Sequence, residues 1–206
     1  PKLARSAFQG EFRETRLTDA LAGPAARFLQ IGLGKRGDVD AERLRRAAAI
    51  AVRKAETVRA PKLVLWLERE LFTKSGIAAG AQALAEGCVL GSYALRRWKS
   101  KPKGPHLAQV TLCGPGAEFV RAAKKGELIA RANTYTRELQ DTPANLMRPR
   151  ELVAAAKSAG ALQVTPPTSP APTDACACAS WTRRPRRASA WAPSSRSARA
   201  RGNPAS

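Results

Sequence analysis

The C-terminal stretch of this chain, residues 165–206, confines any hydrophobic core to the residues before it. Its 42 residues include no Leu, Ile, Val, Met or Phe, and no Lys or Glu. Ten Ala, seven Ser, seven Pro and seven Arg make up most of it. Because such a composition buries too little apolar surface to offset the entropy lost on ordering, we expect a disordered tail over residues 161–206.

Between residues 27 and 140, three strand-like runs alternate with three helix-like runs. The strands are predicted at Arg27–Ile31, Lys62–Leu67 and Leu107–Cys113. The second run is continuously apolar, which is typical of a strand covered on both faces. Ahead of these runs, alternation at Phe8, Phe12 and Leu17 predicts an edge strand or hairpin arm. The pattern predicts an α/β fold with a largely parallel sheet flanked by helices.

Apolar and small residues recur at helical spacing after each strand. The first helix is predicted over Asp40–Glu56, with its face formed by Leu44, Ala48, Ala51 and Ala55. The second begins at Ser75–Gly76, and its stripe comprises Ile77, Ala81, Leu84, Cys88, Gly91, Leu95 and Trp98. The third is a long helix, Ala117–Gln140, whose predicted face holds Ala122, Gly126, Ile129, Ala130 and Asn133.

The stretch Gly32-Leu-Gly-Lys-Arg-Gly37 has the G-x-G-x-x-G spacing of a dinucleotide site and lies between a strand and a helix. In such a site the pyrophosphate rests on the helix N-terminus, where Asp38 and Asp40 would repel it. The acidic residue expected about 20 positions further on is also missing, since Glu68 lies 31 residues past Gly37. We therefore predict a tight turn in which Asp38 or Asp40 caps the helix, with nucleotide binding as the weaker alternative.

Four cysteines and one histidine give no metal-binding pattern. Cys176 and Cys178 form a Cys-x-Cys pair without a second pair, and His106 has no partner carboxylate. We interpret Cys88 as a small core residue. No catalytic, cofactor-binding or metal-binding residue is predicted in this chain. No apolar run reaches the length of a membrane span and no signal peptide is evident, so a cytoplasmic location is expected.

Basic residues exceed acidic ones by 36 to 16, a formal net charge of +20. Such an excess makes a DNA-binding module the alternative function, because Lys and Arg contact phosphates. The excess is not local, with 29 basic and 15 acidic residues in 1–160 and 7 and 1 in 161–206. Scattering along amphipathic elements favours an ordinary solvated surface.

The long third helix is predicted to end before Pro143, because the residue preceding a proline is biased away from helical conformation. Pro149 in a first turn, with Glu151 behind it, begins a new helix, Pro149–Ala159, that ends at Gly160. We therefore divide the chain into an α/β domain with its linking helix (1–140), a hinge and the first helix of a truncated second domain (141–160), and the tail (161–206).

Similarity to a known family lies in three stretches. They are Phe28-Leu-Gln-Ile-Gly-Leu-Gly-Lys35, Ala85-Glu-Gly-Cys-Val-Leu-Gly-Ser-Tyr-Ala-Leu-Arg-Arg-Trp-Lys-Ser-Lys101 and Arg137-Glu-Leu-Gln-Asp-Thr-Pro-Ala-Asn-Leu-Met-Arg-Pro-Arg-Glu-Leu152. Together they resemble leucyl aminopeptidases, also called cytosol aminopeptidases, over roughly residues 5–160. The third stretch is the most specific, and it is similar to the segment where the family's linking helix gives way to its catalytic domain.

The resemblance implies a non-catalytic, macrodomain-like N-terminal domain. In the family a catalytic domain follows, in which Asp, Glu and Lys hold two divalent metals, Zn or Mn. The family's substrates are peptides, and its usual assembly is a hexamer. Its metal-binding motifs are of the types Lys-Gly-x-Thr-Phe-Asp and Asn-Thr-Asp-Ala-Glu-Gly-Arg. Neither occurs here, since Asn133-Thr134 is followed by Tyr135. We expect the chain to bind no metal and to be inactive by itself.

Three interpretations of the tail remain open. Arg183–Arg187 with Trp181 and Trp191 suits a disordered basic arm for nucleic acid. A native linker is the second. The third is translation in the wrong frame, since a GC-rich gene read out of frame yields Ala, Arg, Pro, Ser, Trp and Cys. We favour the third, because predicted order and family resemblance end together near residues 160–164.

Overall fold

The structure is a computed structural model that describes residues 8–20, 25–94, 106–160 and 177–182. Its elements are, in chain order, β1 (Thr15–Asp19), β2 (Arg27–Ile31), α1 (Ala41–Thr57), β3 (Lys62–Trp66), α2 (Ile77–Ser92), β4 (Gln109–Gly114), α3 (Gly116–Gln140), α4 (Pro149–Gly160) and β5 (Ala177–Thr182). Short 3-10 turns precede α1 and α2 at Arg36–Asp38 and Arg69–Phe72. The predicted α/β fold class is confirmed.

Two groups of strands are present among the described residues. β3 and β4 pair in parallel, from Lys62↔Gln109 to Trp66↔Cys113, as expected for strands joined through a crossover helix. β2 instead pairs antiparallel with β1 in a separate hairpin. The predicted strand around Phe8 and Phe12 begins only at Thr15, because the chain turns there and Arg13 adopts a positive φ of 74°.

β3 is open on one face among the described residues, which corrects the expectation that both faces are covered. Leu63 and Leu65 pack against the core. Val64 and Trp66, which point the other way, are 61% and 67% exposed. The helices lie on the side of Leu63 and Leu65, so a continuous apolar run here marks a strand with one covered face.

α2 lies between α1 and α3 and is buried on two sides. The predicted single stripe therefore understates its burial, because Ala83, Ala85 and Val89 are buried as well. The helix also ends earlier than predicted: it stops at Ser92, where Tyr93 turns to an extended conformation. Leu95 and Trp98 lie outside the described residues.

The face of α3 that enters the core shares Gly126 and Ala130 with the predicted one but is turned from it by roughly 45°, at 100° per residue. Its buried residues are Phe119, Ala123, Gly126 and Ala130, at spacings of four, three and four. Phe119 is completely buried and meets Phe72 edge to face at 5.8 Å between ring centroids. By contrast, Ile129 is 43% exposed and Asn133 is exposed.

Glycines set the spacing of the three-helix layer. A Cβ added to Gly87 of α2 would lie 2.1 Å from the backbone oxygen of Arg45 on α1. A Cβ added to Gly126 of α3 would lie 2.3 Å from the backbone oxygen of Gln82 on α2. Neither distance is possible for real atoms, so these helices pack backbone against backbone only because the side chains are absent.

The tail contains one described element, β5, which pairs antiparallel with β4. Composition predicts disorder for residues 161–206, and the strand at Ala177–Thr182 differs from that expectation. The other residues of the tail lie outside the described ones. A strand can form here because a ladder uses main-chain groups, which every residue except proline supplies in full.

We predict that Gly87→Ala destabilises the domain by about 1–3 kcal/mol, because the added methyl forces α1 and α2 apart. This loss exceeds the roughly 1 kcal/mol that alanine gains over glycine within a helix. Gly37→Ala is the matched control, since a Cβ at Gly37 meets no atom within 4 Å. Urea unfolding followed by circular dichroism measures both; an unchanged midpoint for Gly87→Ala would contradict the packing argument.

Candidate functional site

The loop that joins β2 to α1 carries the G-x-G-x-x-G spacing, so its amides are the first candidates for a phosphate site. The N–H of Gly32 donates to the oxygen of Glu14 at 2.8 Å, and that of Gly34 donates to the oxygen of Gly10 at 2.9 Å. In a phosphate-binding loop such amides point at the anion. Here the segment before β1 uses them, which removes the donors that a pyrophosphate would need.

The first two glycines of the loop have a structural reason. A Cβ at Gly32 would lie 1.9 Å from the oxygen of Glu11, and Gly34 adopts a φ of +74° that favours glycine. Gly37 shows neither constraint. The spacing therefore reflects the close packing of this loop against Gly10 and Glu11.

The N-terminus of α1 is closed by the chain's own carboxylate. Asp40 accepts a hydrogen bond from the N–H of Arg43 at 2.7 Å, which confirms the predicted cap. This bond lowers the pKa of Asp40, and the charges of Lys74 and Arg43 act in the same direction. A negative charge thus already occupies the helix end where an anion would bind.

The guanidinium of Arg43 holds the β2–α1 loop in place from the helix. Its guanidinium donates to the oxygen of Leu33 at 3.2 Å and to Asp38 at 3.3 Å. The same group lies 5.1 Å from the ring centroid of Phe12, within cation–π range. Loop, helix and N-terminal segment therefore form one packed unit.

A cavity of about 320 Å³ opens beside this loop, between it and the 3-10 turn that follows β3. Its volume suits a small ligand. Arg36 and Lys74 line it together with Glu68 and Glu70. Two positive and two negative side chains give the cavity no net charge that favours an anion. The cavity therefore does not support nucleotide binding.

His106, Cys88 and Cys113 also carry reactive groups, and each is engaged in the structure of the domain. The backbone N–H of His106 donates to the carboxylate of Glu56 at 3.0 Å. Cys88 is completely buried, and burial raises the pKa of its thiol, which keeps it protonated and unreactive. Cys113 is disulfide-bonded, a state the sequence did not predict.

Within the described ranges no cluster of three or more His, Cys, Asp or Glu side chains is placed to hold a metal ion. Also within those ranges, none of the helices combines the length and the apolarity that crossing a bilayer requires.

Acidic side chains engage several arginines of α1. Arg45 forms an ion pair at 2.9 Å with Glu86 of α2, which Gln82 also contacts at 2.8 Å. Arg45 and Arg46 both pair with Glu42, and hydrogen bonds from Arg46 and then Arg45 lower the pKa of Glu42. The positive charge of this helix is therefore partly neutralised within the domain.

The chain leaves the α/β domain at the end of α3. The N–H of Asp141 donates to the oxygen of Arg137 at 2.8 Å, which closes the last turn. Thr142 is buried, and its hydroxyl donates to the oxygen of Glu138 at 2.7 Å. α3 thus ends before Pro143, as the sequence predicted, and α4 begins at Pro149.

Two tyrosines hold the residues that follow α3 against the rest of the structure. The hydroxyl of Tyr93, at the end of α2, donates to the carboxylate of Asp141. The hydroxyl of Tyr135 on α3 donates to the oxygen of Ala155 on α4 at 2.9 Å. The sequence did not predict either bond, because each joins positions that no local pattern connects. The one signal for them is general: a buried tyrosine usually finds a polar partner for its hydroxyl while its ring packs.

Residues 2–102 match a family model described as the N-terminal domain of the cytosol aminopeptidase family. The probable cytosol aminopeptidase of Geobacter sp. (strain M21) is 35% identical over 160 residues, which cover 75% of this chain and 32% of that protein. That of Thermosynechococcus vestitus is 35% identical over 159 residues, with 75% and 31% covered. The chain thus spans about a third of the length of these curated relatives.

Solved structures give the same picture. The bottromycin maturation enzyme BotP superposes with a TM-score of 0.62 at 29% identity, over 73% of this chain and 32% of that one. A mutant of tomato leucine aminopeptidase gives a TM-score of 0.60 at 25% identity, with 75% and 30% covered. BotP has also been solved in complex with Mn, at a TM-score of 0.57.

We predict that the stability advantage of the native chain over Asp40→Asn is present at neutral pH and shrinks below pH about 4. A carboxyl whose pKa is lower in the folded state binds its proton more weakly there, so its stabilisation is lost as the pH falls. Asparagine keeps the capping oxygen but does not titrate. Urea midpoints of both proteins from pH 3 to 7 measure this; a difference that stays constant across that range would contradict it.

Proposed function

This chain belongs to the cytosol aminopeptidase family, and from that premise we propose that it is the non-catalytic N-terminal part of a metal-dependent leucyl aminopeptidase. The intact enzyme releases N-terminal amino acids from peptides. Two divalent metal ions, Zn or Mn, supply its chemistry by activating a water and polarising the scissile carbonyl. The Mn complex of BotP supports manganese as one of these choices.

The observation that carries this proposal is the way the chain leaves its α/β domain. After the hinge, α4 rests on α3 through Tyr135 and Ala155, yet Leu152 and Val153 of α4 remain 50% and 54% exposed. On α3, Leu128 and Ile129 are also exposed. Apolar side chains beside a hinge suit contact with a further domain.

We further propose that residues 1–140 form the N-terminal domain with its linking helix and that 141–160 form the hinge and first helix of the catalytic domain. We also propose that 161–206 is a tail translated out of frame, which resequencing the gene would test. The family's two metal-binding motifs are missing from the sequence, so we assign this chain the roles of folding and assembly. A homohexamer and a cytoplasmic location belong to the same proposal.

We expect the purified 206-residue chain to release no p-nitroaniline from leucine p-nitroanilide, with either Mn or Zn added, because it supplies no motif that holds the two metals. The full-length Geobacter relative, assayed in parallel, is the positive control. The complementary arm replaces the corresponding part of that relative with residues 1–152 of this chain. We expect this chimera to turn over substrate; turnover by the chain alone, or a folded but inactive chimera, would contradict the proposal.

A DNA-binding module is the second proposal, and the net charge of +20 is what favours it. We rank it lower because Arg43, Arg45 and Arg46 are already paired with acidic side chains of the domain. Each such pair lowers the charge available to release counterions from DNA.

For this second proposal, we expect weak binding to duplex DNA with a shallow salt dependence. The dependence should fall further when residues 161–206 are deleted, because their net positive charge per residue, 7 basic against 1 acidic, exceeds that of residues 1–160, 29 against 15. Fluorescence anisotropy at several salt concentrations measures the slope. A steep slope that survives the deletion would overturn this ranking and assign DNA binding to the domain itself.

A further inference from the structure

The cavity of about 320 Å³ beside the β2–α1 loop lies where two strands end. One wall is the loop that follows β2, and the other is the turn that follows β3. In α/β proteins, ligands bind preferentially in crevices outside the carboxyl ends of the strands. The volume is at the lower end of the range for ligand pockets, which fits a molecule of amino-acid size.

Four charged side chains, two of each sign, line this cavity. They are Arg36, Glu68, Glu70 and Lys74. All four are exposed, and within the described part of the chain none of them forms an ion pair or a side-chain hydrogen bond. Arg43 and Arg45 of α1, by contrast, are paired with acidic side chains. The cavity therefore brings together charges that the fold itself leaves unmatched.

The remainder of the wall is mainly apolar and is supplied by Leu33, Val39 and Leu71. Val39 is 5% exposed, and the other two side chains pack against the core. Such a wall favours contact with an aliphatic group over contact with water. Because the amides of Gly32 and Gly34 bond to the segment before β1, the loop serves the cavity through its side chains.

An α-amino acid matches this combination of groups. At neutral pH it carries a carboxylate and an ammonium group on one carbon, and it has no net charge. A cavity lined by one sign of charge concentrates ions of the opposite sign, whereas two cations and two anions favour a ligand that carries both charges. The apolar wall then selects an aliphatic side chain.

Arg36 suits the ligand's carboxylate better than Lys74 does. A guanidinium presents a planar fork of donors that fits a carboxylate with two parallel hydrogen bonds, whereas an ammonium acts as a point charge. Lys74 is also engaged elsewhere. The N–H of Arg43 lowers the pKa of Asp40 most, and the charge of Lys74 lowers it further, so Lys74 already acts on the carboxylate that caps α1.

We propose that this cavity binds a free α-amino acid with an aliphatic side chain. Arg36 holds the carboxylate of the ligand, Glu68 and Glu70 accept hydrogen bonds from its ammonium group, and the apolar wall contacts its side chain. The inference is independent of the peptidase proposal, because every group it uses belongs to the α/β domain and no metal ion takes part.

Three probes that share one aliphatic side chain test the assignment. They are L-leucine, isopentylamine, which lacks the carboxylate, and isocaproate, which lacks the ammonium group. NMR titration of the isotope-labelled 206-residue chain gives the dissociation constants and shows which amides respond. We expect millimolar leucine to shift the amides of Leu33, Gly34, Val39 and Leu71. Leucine should bind at least about tenfold more tightly than either analogue, because each analogue loses a charge-assisted hydrogen bond.

Two outcomes of this titration would overturn the proposal. One is equal binding of the three probes, which would show that the charged walls recognise neither end of the ligand. The other is the absence of shifts at the amides that line the cavity, including the case where leucine shifts only residues elsewhere in the chain.

Charge-removing variants assign each end of the ligand to its wall. Arg36→Gln should weaken leucine binding by at least about tenfold and abolish its advantage over isopentylamine, while its advantage over isocaproate remains. The double variant Glu68→Gln with Glu70→Gln should show the reverse. Lys35→Gln is the matched control, since Lys35 is exposed and adjacent to Arg36 but does not line the cavity.

The control variant separates a built site from general electrostatic attraction. Circular dichroism shows that each variant remains folded, which is expected because all the substituted side chains are exposed. If Lys35→Gln weakened leucine binding as much as Arg36→Gln does, the effect would be one of net charge and the proposal would fail.

A dipeptide distinguishes a free amino acid from a peptide as the ligand. Leucylglycine keeps both charges and the leucine side chain, but its ammonium and carboxylate groups lie on different residues. We expect it to bind at least about tenfold more weakly than leucine, because it cannot reach both charged walls at once. Binding as tight as that of leucine would contradict the assignment to a free amino acid.

Discussion

The close approach of three helices is the constraint on which the rest of this structure depends. At Gly87 and Gly126 the backbones of α1, α2 and α3 meet at distances that exclude even one methyl group. Because α2 is thereby fixed between its neighbours, Phe119 reaches Phe72, and β3 and β4, which α2 connects, take their places under one helical layer. Dense backbone packing at the alanines and glycines of this layer accompanies the few large aliphatic side chains buried in it, Leu44, Val52 and Leu84.

The same use of small residues explains why a familiar motif binds no phosphate. Gly32 and Gly34 satisfy a spacing found in dinucleotide sites, but their amides and their lack of side chains serve contacts with Gly10, Glu11 and Glu14. After α3, the hydroxyls of Tyr93 and Tyr135 hold the segment that leads into and forms α4, whose apolar Leu152 and Val153 remain half exposed.

The sequence predicted what depends on local periodicity. The predicted strands lie within one or two residues of β2, β3 and β4, and Asp40 and Pro149 mark the starts of α1 and α4. The sequence did not predict the features that depend on distant partners. These are the open face of β3, the second buried side of α2, the partial rotation of the buried face of α3 and the tyrosine bonds that follow it. The sequence did not predict β5 for a different reason, because the tail is dominated by Ala, Ser, Pro and Arg, a composition that predicts disorder.

The position of α2 between its neighbours bears on how the protein is made. A ribosome delivers α1 and α2 before α3, so the side of α2 that later meets Gly126 has no cover while the intervening residues emerge. Only one residue of α2, Glu86, carries a charge, and Arg45 of α1 engages it. The half-made layer therefore presents an almost uncharged, alanine- and glycine-rich surface during synthesis, the kind of intermediate that chaperones retain until the next helix arrives.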